Sequence, residues 1–100
     1  MQVDELELLK EKAEYAVGLL KKMAHKDRLL ILCHLTGGEL TAGELSRRSL
    51  LSQSAFSQHL AILRNDNLVK TRKVAQTIYY SLADDAVVEV LGVLKRIYCS

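Results

Sequence analysis

The sequence predicts a mainly α-helical domain carrying one small β-hairpin. Three observations predict it. Apolar residues recur at spacings of three and four through most of the chain, while one stretch, from Leu68 to Leu82, alternates as paired strands do. Between them, Thr41 to Leu68 (TAGELSRRSLLSQSAFSQHLAILRNDNL) spells two short capped helices joined by a turn. The chain has 100 residues, 49% of them hydrophobic, which is enough for one core and a single domain spanning 1–100.

The expected order is helix, helix, helix, helix, strand, strand, helix. Residues 4 to about 23 form the first helix, with Leu6, Leu9, Ala13, Ala16, Val17, Leu20 and Met23 on one stripe. Leu8 and Leu19 widen that stripe. Residues 25–36 form the second. Its Leu29, Leu30, Ile31, Leu32 and Leu35 are apolar on nearly every side, which predicts burial, and Gly37 and Gly38 end it.

Thr41 and Glu44 make a T-x-x-E capping box that starts the third helix. Ala42 and Leu45 are its apolar residues, and Leu50 and Leu51 close the turn that follows. Ser52 caps the fourth helix, because its hydroxyl can accept from N–H groups two and three residues on. Ala55, Phe56, Leu60 and Leu63 form this helix's stripe, with Ala61 and Ile62 beside it. Asn67 ends it, since asparagine tolerates the left-handed conformation next best after glycine.

Leu68 to Arg72 and Thr77 to Leu82 are the two strands. In the second, Ile78, Tyr80 and Leu82 face one way and Thr77, Tyr79 and Ser81 the other, and Lys73 to Gln76 make the tip. Asp84 or Asp85 caps the last helix, which runs to about Tyr98. Val87, Val90, Leu91, Leu94 and Ile97 form its stripe, and Val88, Val93 and Tyr98 add apolar surface.

A capped helix, a turn and a Ser/Gln-rich amphipathic helix over 41–66 describe a helix-turn-helix, and the basic hairpin at 68–82 is a wing. Charge follows the same division. Residues 47–73 hold six bases (Arg47, Arg48, Arg64, Lys70, Arg72, Lys73) against Asp66 alone, a net +5, while the remaining eight bases and eleven acids net −3. A charge run by itself is usually a solvated face. Its coincidence with this motif favours a phosphate-binding one.

Gln53, Ser54, Ser57 and Gln58 offer the paired donors and acceptors that distinguish base edges in a major groove. Arg47, Arg48, Ser52, His59, Arg64, Lys70, Arg72, Lys73 and Gln76 are the expected backbone contacts. The first and last helices, at 4–23 and 84–98, are apolar on more than one side, which suggests a homodimer built on them. A two-fold pair would set its recognition helices about 34–36 Å apart, one duplex turn.

The order of elements and four stretches resemble the ArsR/SmtB family of winged-helix regulators along nearly the whole chain. The stretches are MAHKDRLLIL (23–32), ELTAGELS (39–46), LSQSAFSQHLAILRNDNLV (51–69) and RKVAQTIYYSL (72–82). Ala75–Gln76–Thr77 and Tyr98–Cys99 are most similar to the HlyU/BigR-like branch. Asn67 stands where the family usually has glycine. The resemblance implies a homodimer on the terminal helices, with DNA contacts from 52–64 and the wing.

Family members are usually metal sensors, and here the match fails. The site on the motif's first helix would need cysteines near Thr41 and Gly43. The site on the last helix needs Asp and His, and although Asp84, Asp85 and Glu89 are present, no histidine follows His59. His25 and His34 are expected at the surface or at helix ends, and His59 as a phosphate contact or packing residue. The three are expected to form no ligand cluster, and no metal or other cofactor is expected.

Cys33 and Cys99 lie far apart in sequence, and the absence of a signal peptide or membrane span points to the cytosol, where a structural disulfide is not assumed. The plain reading makes Cys33 a small core residue and Cys99 a bystander. The resemblance instead implies a redox pair that answers oxidants or reactive sulfur. It also implies that HlyU-like members switch on virulence or toxin genes by displacing a silencing protein, whereas most of the family repress. The alternatives are a winged-helix protein-interaction module and a constitutive DNA-binding regulator. No nucleophile–base–acid set or phosphate loop is visible, so an enzyme is not expected.

Overall fold

The computed structural model describes residues 3–99. It contains helices α1 (Val3–Met23), α2 (Lys26–His34), α3 (Ala42–Arg48), α4 (Gln53–Asn65) and α5 (Asp85–Tyr98), and strands β1 (Leu40–Thr41), β2 (Val69–Val74) and β3 (Thr77–Leu82). The expected winged helix-turn-helix order is present.

Local chemistry sets each boundary. His25 caps α2, its side chain accepting from the Asp27 N–H. The helix is shorter than expected. After His34 it tightens into a 3₁₀ turn, Leu35–Gly37, and Gly38 at φ 128° turns the chain away. The Thr41–Glu44 capping box is complete in both directions, and Ser52 accepts from the Ala55 N–H. Of the two candidate caps on α5, Asp84 is the one used, accepting from Ala86.

At the end of α4, Asn67 takes φ 61°, the Leu68 N–H donates to the Leu63 carbonyl at 2.9 Å and the Asn67 N–H to Arg64 at 3.1 Å. This is a Schellman closure, and the side chains of Leu63 and Leu68, both buried, make its apolar contact.

The sheet departs from expectation in two ways. It has three strands in the order β1-β3-β2, because Leu40 and Thr41 pair with Tyr80 and Tyr79. Two residues are too short to show a period of two, which hid β1 in the sequence. The hairpin is also longer than expected. Lys73 pairs with Ile78 and Val74 with Thr77, leaving Ala75 and Gln76 as the turn. Ala75 stands at φ 54°, the positive value that the first central residue of a type II′ hairpin turn requires.

The core lies between α2, α4, α5 and the inner face of the sheet. Leu32, Leu35, Leu45, Phe56, Leu63, Leu68, Val87 and Leu91 are at most 2% exposed. Tyr80 and Leu82 pack against it from β3, and Leu51 from the turn. Leu30, expected to be buried, is 49% exposed. A nine-residue helix has room for a solvent side even across four successive apolar residues, Leu29 to Leu32. Ile97 of the α5 stripe is 62% exposed, and Leu50 of the turn points wholly into solvent.

Helix α1 meets this core only near its end, through Leu19 and buried Met23. Its Leu6, Leu8, Leu9, Val17 and Leu20 are all about half exposed, as are Val88 and Val93 on α5.

Candidate nucleic-acid interface

Helix α4 is held at three places. Its N-terminus carries the Ser52 cap, its C-terminus the Schellman closure, and its inner face buries Phe56, Leu60 and Leu63. The turn before it is ordered by a residue that sequence reasoning passed over. The hydroxyl of Ser49 accepts from the Leu51 N–H at 3.1 Å. A second such residue is Ser46, whose hydroxyl donates to Gln53 Oε1 at 3.0 Å and ties α3 to the first turn of α4.

With that inner face fixed, helical geometry turns Ser54, Ser57, Gln58 and Ala61 outward, all exposed. Gln53 and Arg64 are also exposed. The outward face is therefore small and polar, and short enough to let a helix approach base edges closely.

Exposed polar and cationic groups lie on the elements that precede and follow α4 in the chain. Arg47 and Arg48 are exposed on the last turn of α3, and Lys70, Lys73 and Gln76 on the hairpin. Arg72 is different. Its guanidinium forks onto the carboxylate of Glu39, from Nε at 3.1 and 3.2 Å and from Nη2, and lies 4.6 Å above the Tyr79 ring. This hydrogen bonding holds the Glu39 carboxyl below its usual range. Glu39 precedes the 47–73 window, so charge counting along the chain missed it.

His59 is half-buried and faces the start of α2. Its Nδ1 receives Arg28 Nε at 3.5 Å, and its ring centroid lies 4.6 Å from that of His25. His25, Asp27 and His59 each place a ligand-type atom within 4.8 Å of the others. That corrects the expectation that the histidines form no such cluster. It joins His59 to two residues 34 and 32 positions earlier, which no local spacing reveals. His34 stands apart at the end of α2, and burial, then the charge of Arg48, lower its pKa. Thr41 and Gly43 offer no thiolate, and Asp84 is engaged as a helix cap.

Cys33 and Cys99 are free thiols, the first half-buried on α2 and the second exposed just past α5. Burial pushes the Cys33 thiol pKa up, the nearby Cys99 adds to the rise, and Lys95 opposes it. The two sulfurs are thus close enough to sense each other's charge. Lys95 Nζ also donates to Thr36 Oγ1 at 3.2 Å, and that hydroxyl donates to the Cys33 carbonyl at 2.7 Å, linking α5 to the end of α2.

Comparisons with known proteins agree with this geometry. Residues 25–71 match the family described as "Bacterial regulatory protein, arsR family". The chain is 52% identical to the "Transcriptional activator HlyU" of Vibrio cholerae, over 94% of its own length and 87% of that protein's. Among solved structures, HlyU from Vibrio vulnificus superposes with a TM-score of 0.90 at 49% identity, covering 95% of this chain and 99% of that one. The transcriptional repressor BigR from Xylella fastidiosa gives 0.83 at 31% identity, covering 100% and 99%. Among the described residues, no helix is long and apolar enough to cross a membrane.

Proposed function

The chain belongs to the arsR family of bacterial regulatory proteins, a DNA-binding transcriptional regulator and not an enzyme, and from that premise we propose that it binds an inverted-repeat operator as a homodimer under the control of Cys33 and Cys99. The observation carrying this reading is the outward face of α4. Ser54, Ser57 and Gln58 are exposed there on a helix fixed at both ends, and Arg47, Arg48, Lys70 and Lys73 are exposed on α3 and β2, before and after it in the chain. Gln53, Ser54, Ser57 and Gln58 read bases. Ser52, Arg64 and Gln76, with those four cations, hold phosphates, whereas Arg72, expected among them, is taken up by Glu39 and His59 by the start of α2.

The half-exposed leucines of α1 and valines of α5 support the pairing. Fully burying an apolar side chain of that size contributes roughly 1.5–3 kcal/mol, and since these are already half-buried, each adds about half of that at a dimer seam. Its two-fold axis sets the α4 helices one duplex turn apart, about 34–36 Å.

The thiol step begins at Cys99, the exposed cysteine. Its thiolate attacks a peroxide oxygen or a polysulfide sulfur, releasing hydroxide or a shorter polysulfide. Cys33 then displaces water from the sulfenic acid, or hydrosulfide from the persulfide, forming the disulfide. The two thiols lose two electrons and two protons to the oxidant. A covalent link between α2 and α5 moves the dimer seam and misaligns the recognition helices, lowering affinity on the order of 10²-fold.

A relative named as an activator and another named as a repressor share this fold. The same DNA contacts serve activation, by displacing a silencing protein at virulence or toxin genes, and direct repression alike. A reporter assay with and without the silencer separates the two.

The test of DNA binding is operator footprinting with gel shifts across a salt series, using reduced, oxidised and polysulfide-treated protein beside Cys33→Ser and Cys99→Ser. The expected result is a steep salt dependence and loss of binding only where both thiols are present. Identical binding in every thiol state would remove the switch, and salt-independent affinity the DNA reading.

A further inference from the structure

His25, Asp27 and His59 converge where the start of α2 crosses the middle of α4. His25 and Asp27 flank the first turn of α2, and the Asp27 N–H donates to His25 Nδ1 at 3.2 Å, which sets that imidazole over the helix start. His59 comes from α4, its ring 4.6 Å from that of His25 and tilted 50° to it. We propose that these three residues form a binding site for a divalent cation of the zinc, cobalt or nickel class. Two imidazole nitrogens and one carboxylate oxygen hold it, and water completes its coordination.

The ligand types select the metal class. Two imidazoles with one carboxylate suit borderline cations, whereas calcium and magnesium prefer all-oxygen sets. The geometry is close to what such an ion needs. Bonds of about 2.0–2.2 Å in a tetrahedral arrangement put ligand atoms about 3.4 Å apart. The present separations are within 4.8 Å, at most about 1.4 Å beyond that.

Two features set the affinity. One imidazole nitrogen of His25 is engaged as a helix cap, which leaves the other for the metal. Arg28 Nε points at His59 Nδ1 from 3.5 Å, a long contact that the cation must displace or avoid. An occupied site pins the segment joining α1 and α2 to the recognition helix. The inference goes beyond the DNA-binding reading and does not depend on it.

The experiment titrates the full chain, carrying Cys33→Ser and Cys99→Ser so that no thiolate competes, with Co²⁺ and with Zn²⁺ alone, without DNA. The expected result is one equivalent bound, visible-region d–d absorption for cobalt without sulfur charge-transfer bands, and cobalt displaced by zinc. His25→Asn keeps a capping side chain at the helix start, so α2 remains intact while a ligand is lost. Both it and His59→Gln are expected to weaken binding at least tenfold, with circular dichroism unchanged. Absence of binding by the cysteine-free chain up to about a hundred micromolar, or equal affinity in His25→Asn and His59→Gln, overturns the proposal.

Discussion

Arg72 on the wing is held by Glu39, a residue 33 positions earlier, through a fork of hydrogen bonds, with the Tyr79 ring beneath the guanidinium. The pair fastens the hairpin to the approach to α3. It also neutralises a cation that would otherwise reach for phosphate. Both side chains are well exposed, so the pair adds little to stability.

The first prediction follows from that neutralisation. Glu39→Gln removes the competing carboxylate and makes Arg72 available to DNA. Affinity is expected to rise for all sequences alike, and the salt slope to steepen by about 0.9, one phosphate's share. Gel shifts at four or five salt concentrations measure it. An unchanged slope would show that Arg72 stays clear of DNA even when released.

Base reading and phosphate holding separate on α4 and the wing. Gln58→Ala is expected to relax sequence preference by ~1–3 kcal/mol, whereas Lys73→Ala weakens every duplex about equally and reduces the slope by about one. Competition binding against a set of single-base operator variants distinguishes the two. Equal losses on cognate and scrambled DNA for Gln58→Ala would place that side chain outside the groove.

The hairpin turn stores strain. Ala75 at φ 54° occupies the left-handed region, which costs an L-residue about 1–2 kcal/mol. Ala75→Gly relieves that cost and gives back part of it as unfolded-chain entropy. A net stabilisation of up to about 1 kcal/mol, or roughly 4–8 °C in Tm, is expected. Thermal melts of the two proteins at equal concentration decide it.

Stability should also depend on His34. Burial and Arg48 lower its folded pKa, so the unfolded chain binds the proton more readily. The folded state therefore loses stability as pH falls through about 6.5, the unfolded value, toward the lower folded one. Above that window His34 contributes no pH dependence. Urea melts between pH 5 and 8 are expected to show the decline, and His34→Gln to flatten it.

The elements legible in the sequence were those whose cause is local. The Thr41–Glu44 box, the Ser52 cap, Asn67 after α4 and the stripes of α4 and α5 each depend on residues within a few positions. What stayed hidden was long-range or too short to be periodic. The partner of β1 is some 40 positions away, and Glu39 meets Arg72 only once the sheet has formed. The His25–Asp27–His59 group likewise exists only because α2 crosses α4. For the candidate interface, the outward face of α4 followed directly from its buried stripe. Leu30 misled for the opposite reason, since an apolar residue within the run Leu29 to Leu32 gives no sign of facing water.

The two thiols should differ in reactivity, and the order is set by their surroundings. Cys33 is half-buried, and both desolvation and the neighbouring Cys99 hold its proton on, with Lys95 only partly offsetting them. The thiolate is the attacking form. At neutral pH Cys33 is therefore expected to react more slowly with iodoacetamide or peroxide than Cys99, which is exposed past the end of α5. Single-cysteine proteins, Cys99→Ser and Cys33→Ser, isolate each rate, and a rate–pH profile for Cys33 should rise at higher pH than for an ordinary thiol. Lys95→Ala should push that profile higher still. If Cys33 proves the faster of the two, the roles of attacking and resolving thiol are exchanged, and the inducer must reach the half-buried sulfur first.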